Sequence, residues 1–123
     1  MNSKDFELGD ILKATHRDKE KGRHYIIYIS GHSEQDFVGA MITHLQDITK
    51  NVWMVESHFE PNYPINYDES LLVRGRFIKP ENWGTFKKVG KLTKKGIDFL
   101  KEVTDDLPTE TFADYYVRIN IKN

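Results

Sequence analysis

The sequence contains no cysteine, and its longest apolar runs are short. Without cysteine, disulfide bonds and cysteine-ligated zinc or iron–sulfur sites are excluded. No run reaches the roughly 18 apolar residues of a membrane-spanning helix. The N-terminus also lacks the basic-then-apolar layout of a secretory signal. We therefore expect a cytoplasmic protein that does not enter membranes.

Length and composition are those of one globular domain. The chain has 123 residues, of which 38% are hydrophobic and 30% are charged. This length supports one substantial core but not two, and this composition is typical of folded rather than disordered chains. We expect a single domain over residues 1–123.

The net charge of −1 hides a strong segregation of charge along the chain. Residues 71–101 carry nine lysines and arginines against two acids, a balance of +7. Residues 24–70 carry seven acids against one lysine, a balance of −6. Such asymmetry is typical of a basic surface with an anionic partner, although a solvated lysine-rich face gives the same pattern.

Short apolar runs separated by polar turns predict a mainly antiparallel sheet or small barrel of five to six strands. Strands are predicted at 10–15, 24–30, 36–44, 52–59 and 71–79, and a late strand within 115–121. Near-continuous apolarity in the second strand predicts burial on both faces. Gly39 predicts a bulge, a bend or a close backbone contact in the third strand. A helix is predicted over 94–104 with Thr93 as its N-cap, and Pro108 could begin a second.

The second and third predicted strands contain the most suggestive pair of polar residues. If these strands form a hairpin, the start of the second lies beside the end of the third. Arg23 and Thr43 would then share one rim of the sheet. A guanidinium and a hydroxyl in this arrangement suit a phosphate group.

The order of these segments resembles the MazF/PemK family of toxin endoribonucleases. The resemblance runs roughly from residue 9 to residue 103. It rests on five ordered motifs: Gly9-Asp10-Ile11, Lys21-Gly22-Arg23, Ala40-Met41-Ile42-Thr43, Ser70-Leu71-Leu72-Val73-Arg74 and Lys88-Val89-Gly90-Lys91-Leu92-Thr93. The chain departs from the family at His24, where proline is usual, and in a longer segment after Phe77. Residues 107–123 form an extension without a counterpart.

The resemblance implies an SH3-like barrel that cleaves single-stranded RNA without a metal or other cofactor. The 2′-hydroxyl attacks the adjacent phosphorus and leaves a 2′,3′-cyclic phosphate and a 5′-hydroxyl end. Arg23 matches the family's catalytic arginine, and Thr43 matches its catalytic threonine. The family also implies a homodimer and an antitoxin partner whose acidic segment covers the basic groove.

Proton transfer requires a further group, because arginine stays protonated at neutral pH. His24 and His16 are the candidates, and His44 is a weaker one. Successive strand residues face opposite sides, so His24 and His44 would not share a face with their matched neighbours in regular strands. The five histidines show no spacing that places two metal ligands on one helix face, so no metal site is predicted.

The basic segment and the aromatic residues beside it predict an RNA-binding surface. Bases in single strands stack on aromatic rings while cations contact the phosphates. The predicted contacts are Arg74, Arg76, Lys79, Lys87, Lys88, Tyr63 and Tyr67. Trp83 and Phe86 are interpreted as core residues.

A second interpretation needs no catalysis. A small SH3-like barrel can serve as a binding module for a protein or nucleic acid, or as an accessory protein of a phage or mobile element. Arg23 would then form a structural ion pair, and Thr43 would be a strand residue of ordinary β propensity.

Overall fold

The computed structural model describes residues 6–14, 25–43, 51–63, 70–80 and 86–121. Within them the chain is mainly β, with eight strands in one open sheet and two helices late in the chain. The strands are β1 Asp10–Ala14, β2 Tyr25–Ser33, β3 Asp36–Thr43, β4 Val52–Trp53, β5 Leu71–Leu72, β6 Arg76–Pro80, β7 Phe86–Lys91 and β8 Thr109–Glu110. The helices are α1 Lys94–Thr104 and α2 Phe112–Ile121. The predicted fold class, mainly β with late helices, is confirmed.

The strands follow the order β4-β5-β3-β2-β1-β7, and β6 pairs with β3 and with β8. All pairings are antiparallel except the parallel contact of β6 with β8. The two ends of this order meet through one bridge between Phe59 and Leu92. A backbone hydrogen bond of 2.8 Å from the Glu60 amide to the Lys91 carbonyl lies beside it. We call these two contacts the junction.

The β2–β3 hairpin forms the centre of the sheet. The predicted burial of the second strand on both faces is confirmed over Ile26–Tyr28, whereas residues 30–33 are exposed. Ile27 and Ile42 face the main core, which the sheet forms with α1. Ile26 faces a second cluster with Phe37 and Phe86 on the other side. The prediction for Gly39 is confirmed, because the register shifts beside it and a Cβ there would lie 2.7 Å from the Ile26 side chain.

Helix α1 has the predicted bounds and the predicted N-cap. The Thr93 hydroxyl accepts a hydrogen bond from the Gly96 amide at 3.1 Å, which satisfies one free donor of the first turn. Leu100 is buried in the main core, and Ile97 and Val103 pack against it. Gly96 lies so close to the 3₁₀ turn that a Cβ there would collide with the His58 carbonyl oxygen.

The predicted fourth strand over 52–59 is wrong beyond its second residue. The strand ends at Trp53, and a 3₁₀ turn follows over Glu56–His58. The His58 side chain stabilises this turn, because its Nδ1 accepts a hydrogen bond from the Val55 amide at 3.1 Å. The Thr93 amide then binds the His58 carbonyl at 3.0 Å, which ties the turn to the start of α1.

The predicted fifth strand over 71–79 is two strands. On β3, Gly39 precedes Ile42 by three residues. Their partners are Phe77 and Leu72, which are five residues apart, so the partner chain has two extra residues between the two pairs. The chain therefore inserts a turn between β5 and β6. A hydrogen bond of 2.9 Å from the Gly75 amide to the Val73 carbonyl closes that turn.

The predicted late strand within 115–121 is wrong, because this segment lies in α2. Thr111 begins the helix, since its hydroxyl accepts a hydrogen bond from the Asp114 amide at 3.1 Å. Pro108 precedes this helix rather than beginning it. Tyr115 packs edge-on against Phe77 at 5.0 Å between ring centroids, so α2 covers the outer face of β6. Strands β7 and β8 were not predicted.

Neither described helix is long and apolar enough to cross a bilayer.

Candidate nucleic-acid interface

The start of β2 lies beside the end of β3, as the sequence predicted. Tyr25 pairs with Ile42, and Thr43 follows as the last residue of β3. Arg23 precedes Tyr25 by two residues in the sequence. Arg23 itself lies outside the described residues, together with His16, His24, His44 and Tyr67.

A row of side chains crosses the sheet at this rim. Tyr25 lies opposite Lys13 of β1, and Lys13 lies opposite Lys87 of β7. Residues directly opposite each other in antiparallel strands share a face, with Cβ atoms about 4.5–5.5 Å apart. Tyr25, Lys13 and Lys87 therefore form a continuous patch, which we call the basic row. Lys87 is exposed, and the other two are partly exposed.

The basic row brings two like charges together, and no acid among the described residues compensates them. Like charges directly opposite on neighbouring strands destabilise a sheet. No ion pair joins Lys13 or Lys87 to an acid within the described part of the chain. An anionic ligand would relieve this repulsion, and the Tyr25 ring beside it offers a surface on which a base could stack.

Thr43 faces the other side of the sheet from Tyr25. Its strand partner is Leu71, whose own partner on the far side is Trp53 of β4. These three residues form a second row, the Trp53 row, one position nearer the rim. Thr43 is 9% exposed, whereas Trp53 at the edge is 50% exposed.

Lys88 belongs to a separate cluster with Asp10 and Tyr63. Its Nζ lies 3.2 Å from Asp10 Oδ1, although that oxygen accepts no well-oriented hydrogen bond among the described residues. The Nζ also lies 5.4 Å from the centre of the Tyr63 ring. Burial lowers the pKa of Lys88, but the neighbouring Tyr63 hydroxyl and Asp10 carboxylate outweigh this and raise the pKa overall. Lys88 is thus a fixed cation that already has partners.

The remaining predicted cations do not form one surface. Arg74 is exposed. Arg76 donates to the Thr109 hydroxyl at 3.3 Å and lies 3.8 Å from Asp105, so it braces β8. The prediction that Lys79 contacts RNA disagrees with its burial at 2% exposure, where its Nζ lies 3.3 Å from the sulfur of Met41.

Three residues of the interface were missed in the sequence, namely Lys13, Tyr25 and Trp53. Lys13 and Lys87 are distant in sequence, and only the register of β1 with β7 brings them together. That register includes a shift between Ile11 and Leu12. Trp53 lies inside the apolar run Val52-Trp53-Met54-Val55, so no local signal marked it as the end of a strand.

Among the described residues, no group of three or more histidine, aspartate or glutamate side chains could hold a metal ion. Comparisons with protein-family models, curated proteins and solved structures found no match to this chain.

Proposed function

We propose that this chain is a metal-independent endoribonuclease that acts on single-stranded RNA. The observation that carries the proposal is the basic row, which lies at the same rim as Thr43 and the start of β2, although Thr43 faces the opposite side of the sheet. A single strand that contacts both would cross this rim. A cationic, aromatic rim of this kind suits the phosphates and unstacked bases of a single strand. The ordered motifs that resemble MazF/PemK add the chemistry.

In this proposal the residues divide the work of a transesterification. Lys13 and Lys87 bind phosphates of the RNA, and Arg23 holds the scissile phosphate through its planar fork. The Thr43 hydroxyl donates a hydrogen bond to the oxyanion that develops on the phosphorus. His24 or His16 accepts the proton of the 2′-hydroxyl as that oxygen attacks. As the bond from phosphorus to the 5′-oxygen breaks, that oxygen takes a proton from water, so the products are a 2′,3′-cyclic phosphate and a 5′-hydroxyl end.

The same proposal includes its partners. A basic row that no described acid pairs with would suit the acidic segment of an antitoxin as well as it suits RNA, so we expect the two to compete. We also expect a homodimer that acts in the cytoplasm, as the family resemblance implies.

The test is incubation of the purified protein with mixed-sequence single-stranded RNA in EDTA. We expect cleavage that leaves 5′-hydroxyl ends, and loss of that cleavage in Arg23→Ala and Thr43→Val. Valine is the matched replacement for Thr43, because it keeps the buried volume and β-branched shape while removing the hydroxyl. Thr43→Ser should keep measurable activity, since it keeps the hydroxyl.

Thermal melts of each variant separate chemistry from folding. Loss of cleavage at an unchanged melting temperature supports the proposed roles. Cleavage by Thr43→Val at the wild-type rate would contradict the role of the hydroxyl, and the absence of cleavage across a broad set of sequences would contradict the enzyme.

A second candidate is a module that binds single strands without cleaving them. The low exposure of Thr43 favours it, because a donor to a reacting phosphate must reach the ligand. Binding that depends on Lys13 and Lys87, with intact RNA recovered in every condition, would select this candidate.

A further inference from the structure

Trp53 is a large apolar side chain that the fold leaves half in solvent. It is 50% exposed at the end of β4, while most other large apolar residues of the sheet are buried. Tryptophan combines a broad apolar ring with few rotatable bonds, so an exposed tryptophan is well suited to contact a ligand. Its surroundings therefore bear on what that ligand is.

The backbone holds Trp53 in a defined place. Trp53 pairs with Leu71, which is buried, and the Met54 amide donates a hydrogen bond of 2.9 Å to the Ser70 carbonyl directly after it. Within the described residues β4 has β5 as its one ladder partner, so Trp53 lies at an edge of the sheet.

Trp53 lies on the same face as Thr43. The pairs Trp53–Leu71 and Leu71–Thr43 place the two residues two strand spacings apart, about 10 Å between backbones. A ring that stands on the sheet at one end of this row is within reach of a nucleotide whose phosphate contacts Thr43.

A protein partner explains this surface less well. Near Trp53 the other large apolar exposed residue is Val55, at 51% exposure. Two side chains are far short of the roughly 800 Å² that each partner buries in a stable protein interface. A nucleobase needs only one aromatic face.

We propose that Trp53 is a nucleobase-stacking residue, which binds a base next to the phosphate held at Thr43. This inference rests on the proposed function and adds the subsite on the β4 side of the rim. Stacking on an aromatic residue tolerates all four bases, so Trp53 contributes affinity and positions the strand more than it selects a sequence.

The experiment measures binding of a fluorescent 2′-O-methyl RNA single strand, which lacks the attacking hydroxyl and is not cleaved. Loss of one base–aromatic stack weakens binding about 5- to 150-fold in Trp53→Ala. Trp53→Phe should recover most of that loss, because it keeps an aromatic face. Val55→Ala is the matched control, since Val55 is equally exposed and nearby, and should leave affinity unchanged.

Tryptophan emission gives an independent readout. In a Trp83→Phe background the emission comes from Trp53 alone, and the oligonucleotide should quench it while ribose 5-phosphate, which has no base, should not. Wild-type affinity in Trp53→Ala would overturn this inference and leave the proposed function standing. Failure of the wild type to bind the strand would overturn both, and a dimer that dissociates in Trp53→Ala with unchanged binding would assign Trp53 to a protein interface instead.

Discussion

Replacing Lys87 with glutamate should stabilise the fold and weaken binding of RNA. The change converts the like-charged pair with Lys13 into an opposite-charged pair at the same register. Cross-strand charge pairs are each worth roughly 0.2–1 kcal/mol in either direction. Because Lys87 is exposed, solvent screening keeps the net gain in the free energy of unfolding near about 0.5–1 kcal/mol.

The assay is a double-mutant cycle by urea unfolding in low salt. The gain from Lys87→Glu should vanish in a Lys13→Gln background, because no cation then faces the new acid. It should also shrink strongly in 1 M NaCl, where the screening length falls to about 3 Å. A gain that persists in the Lys13→Gln background, or a loss of stability in Lys87→Glu alone, would refute the electrostatic account of the basic row.

The same variant should bind single-stranded RNA more weakly. A plot of log affinity against log salt concentration falls with a slope that becomes less steep by about 0.7 for each phosphate contact that is lost. Opposite effects on stability and on binding distinguish a functional cation from a structural one. If Lys87 were structural, its replacement would lower both the stability and the affinity for RNA.

Two further predictions concern the contact between the 3₁₀ turn and α1. Burial and the nearby charge of Lys95 lower the pKa of His58, so the unfolded chain takes up a proton near pH 6.5 before the folded one does. The contribution of His58 to the free energy of unfolding is therefore fully present above pH 6.5 and is lost as the pH drops toward the lowered pKa. Urea unfolding between pH 5 and 7.5 should show a steeper loss of stability for the wild type than for His58→Asn. Equal dependence on pH in the two proteins would contradict this. Gly96→Ala should destabilise the fold by about 1–3 kcal/mol despite alanine's better helix propensity, because its Cβ would meet the His58 carbonyl oxygen. Lys95→Ala, at an exposed neighbouring position, should cost far less. A Gly96→Ala variant that is more stable than the wild type would contradict the close approach.

The elements that the sequence predicted well are those specified by local signals. The β2–β3 hairpin combines two apolar runs with a polar turn, and α1 combines an N-cap at Thr93 with apolar residues at helical spacing. These signals act over a few residues and do not depend on partners distant in the chain.

The elements that it predicted badly depend on partners distant in the chain. The run after Trp53 has the composition of a strand, yet the His58 side chain accepts a hydrogen bond from the Val55 amide and closes a turn. In the C-terminal segment, apolar residues at 112, 115 and 119 fit a helix as well as the alternation around 115–121 fits a strand. Packing of Tyr115 on Phe77 accompanies the helical alternative.

The candidate interface was predicted only in part for the same reason. Thr43 and Lys87 stood out through the family resemblance and the basic segment. Lys13 and Trp53 became visible through strand register, which is a property of paired segments and not of either segment alone.

The junction between Phe59 and Leu92 has a consequence for how the sheet opens. Among the described residues, the β4 side and the β7 side of the strand order meet there through one bridge. Two backbone hydrogen bonds flank it, from the Glu60 amide to the Lys91 carbonyl and from the Thr93 amide to the His58 carbonyl. Trp53 lies on one side of this short contact, and the two lysines of the basic row lie on the other. Loosening it would alter the distance between the two halves of the rim while the β2–β3 hairpin stayed intact. If the proposed function holds, the width available to a bound strand depends on how often this junction opens, which hydrogen exchange at the Glu60 amide would report.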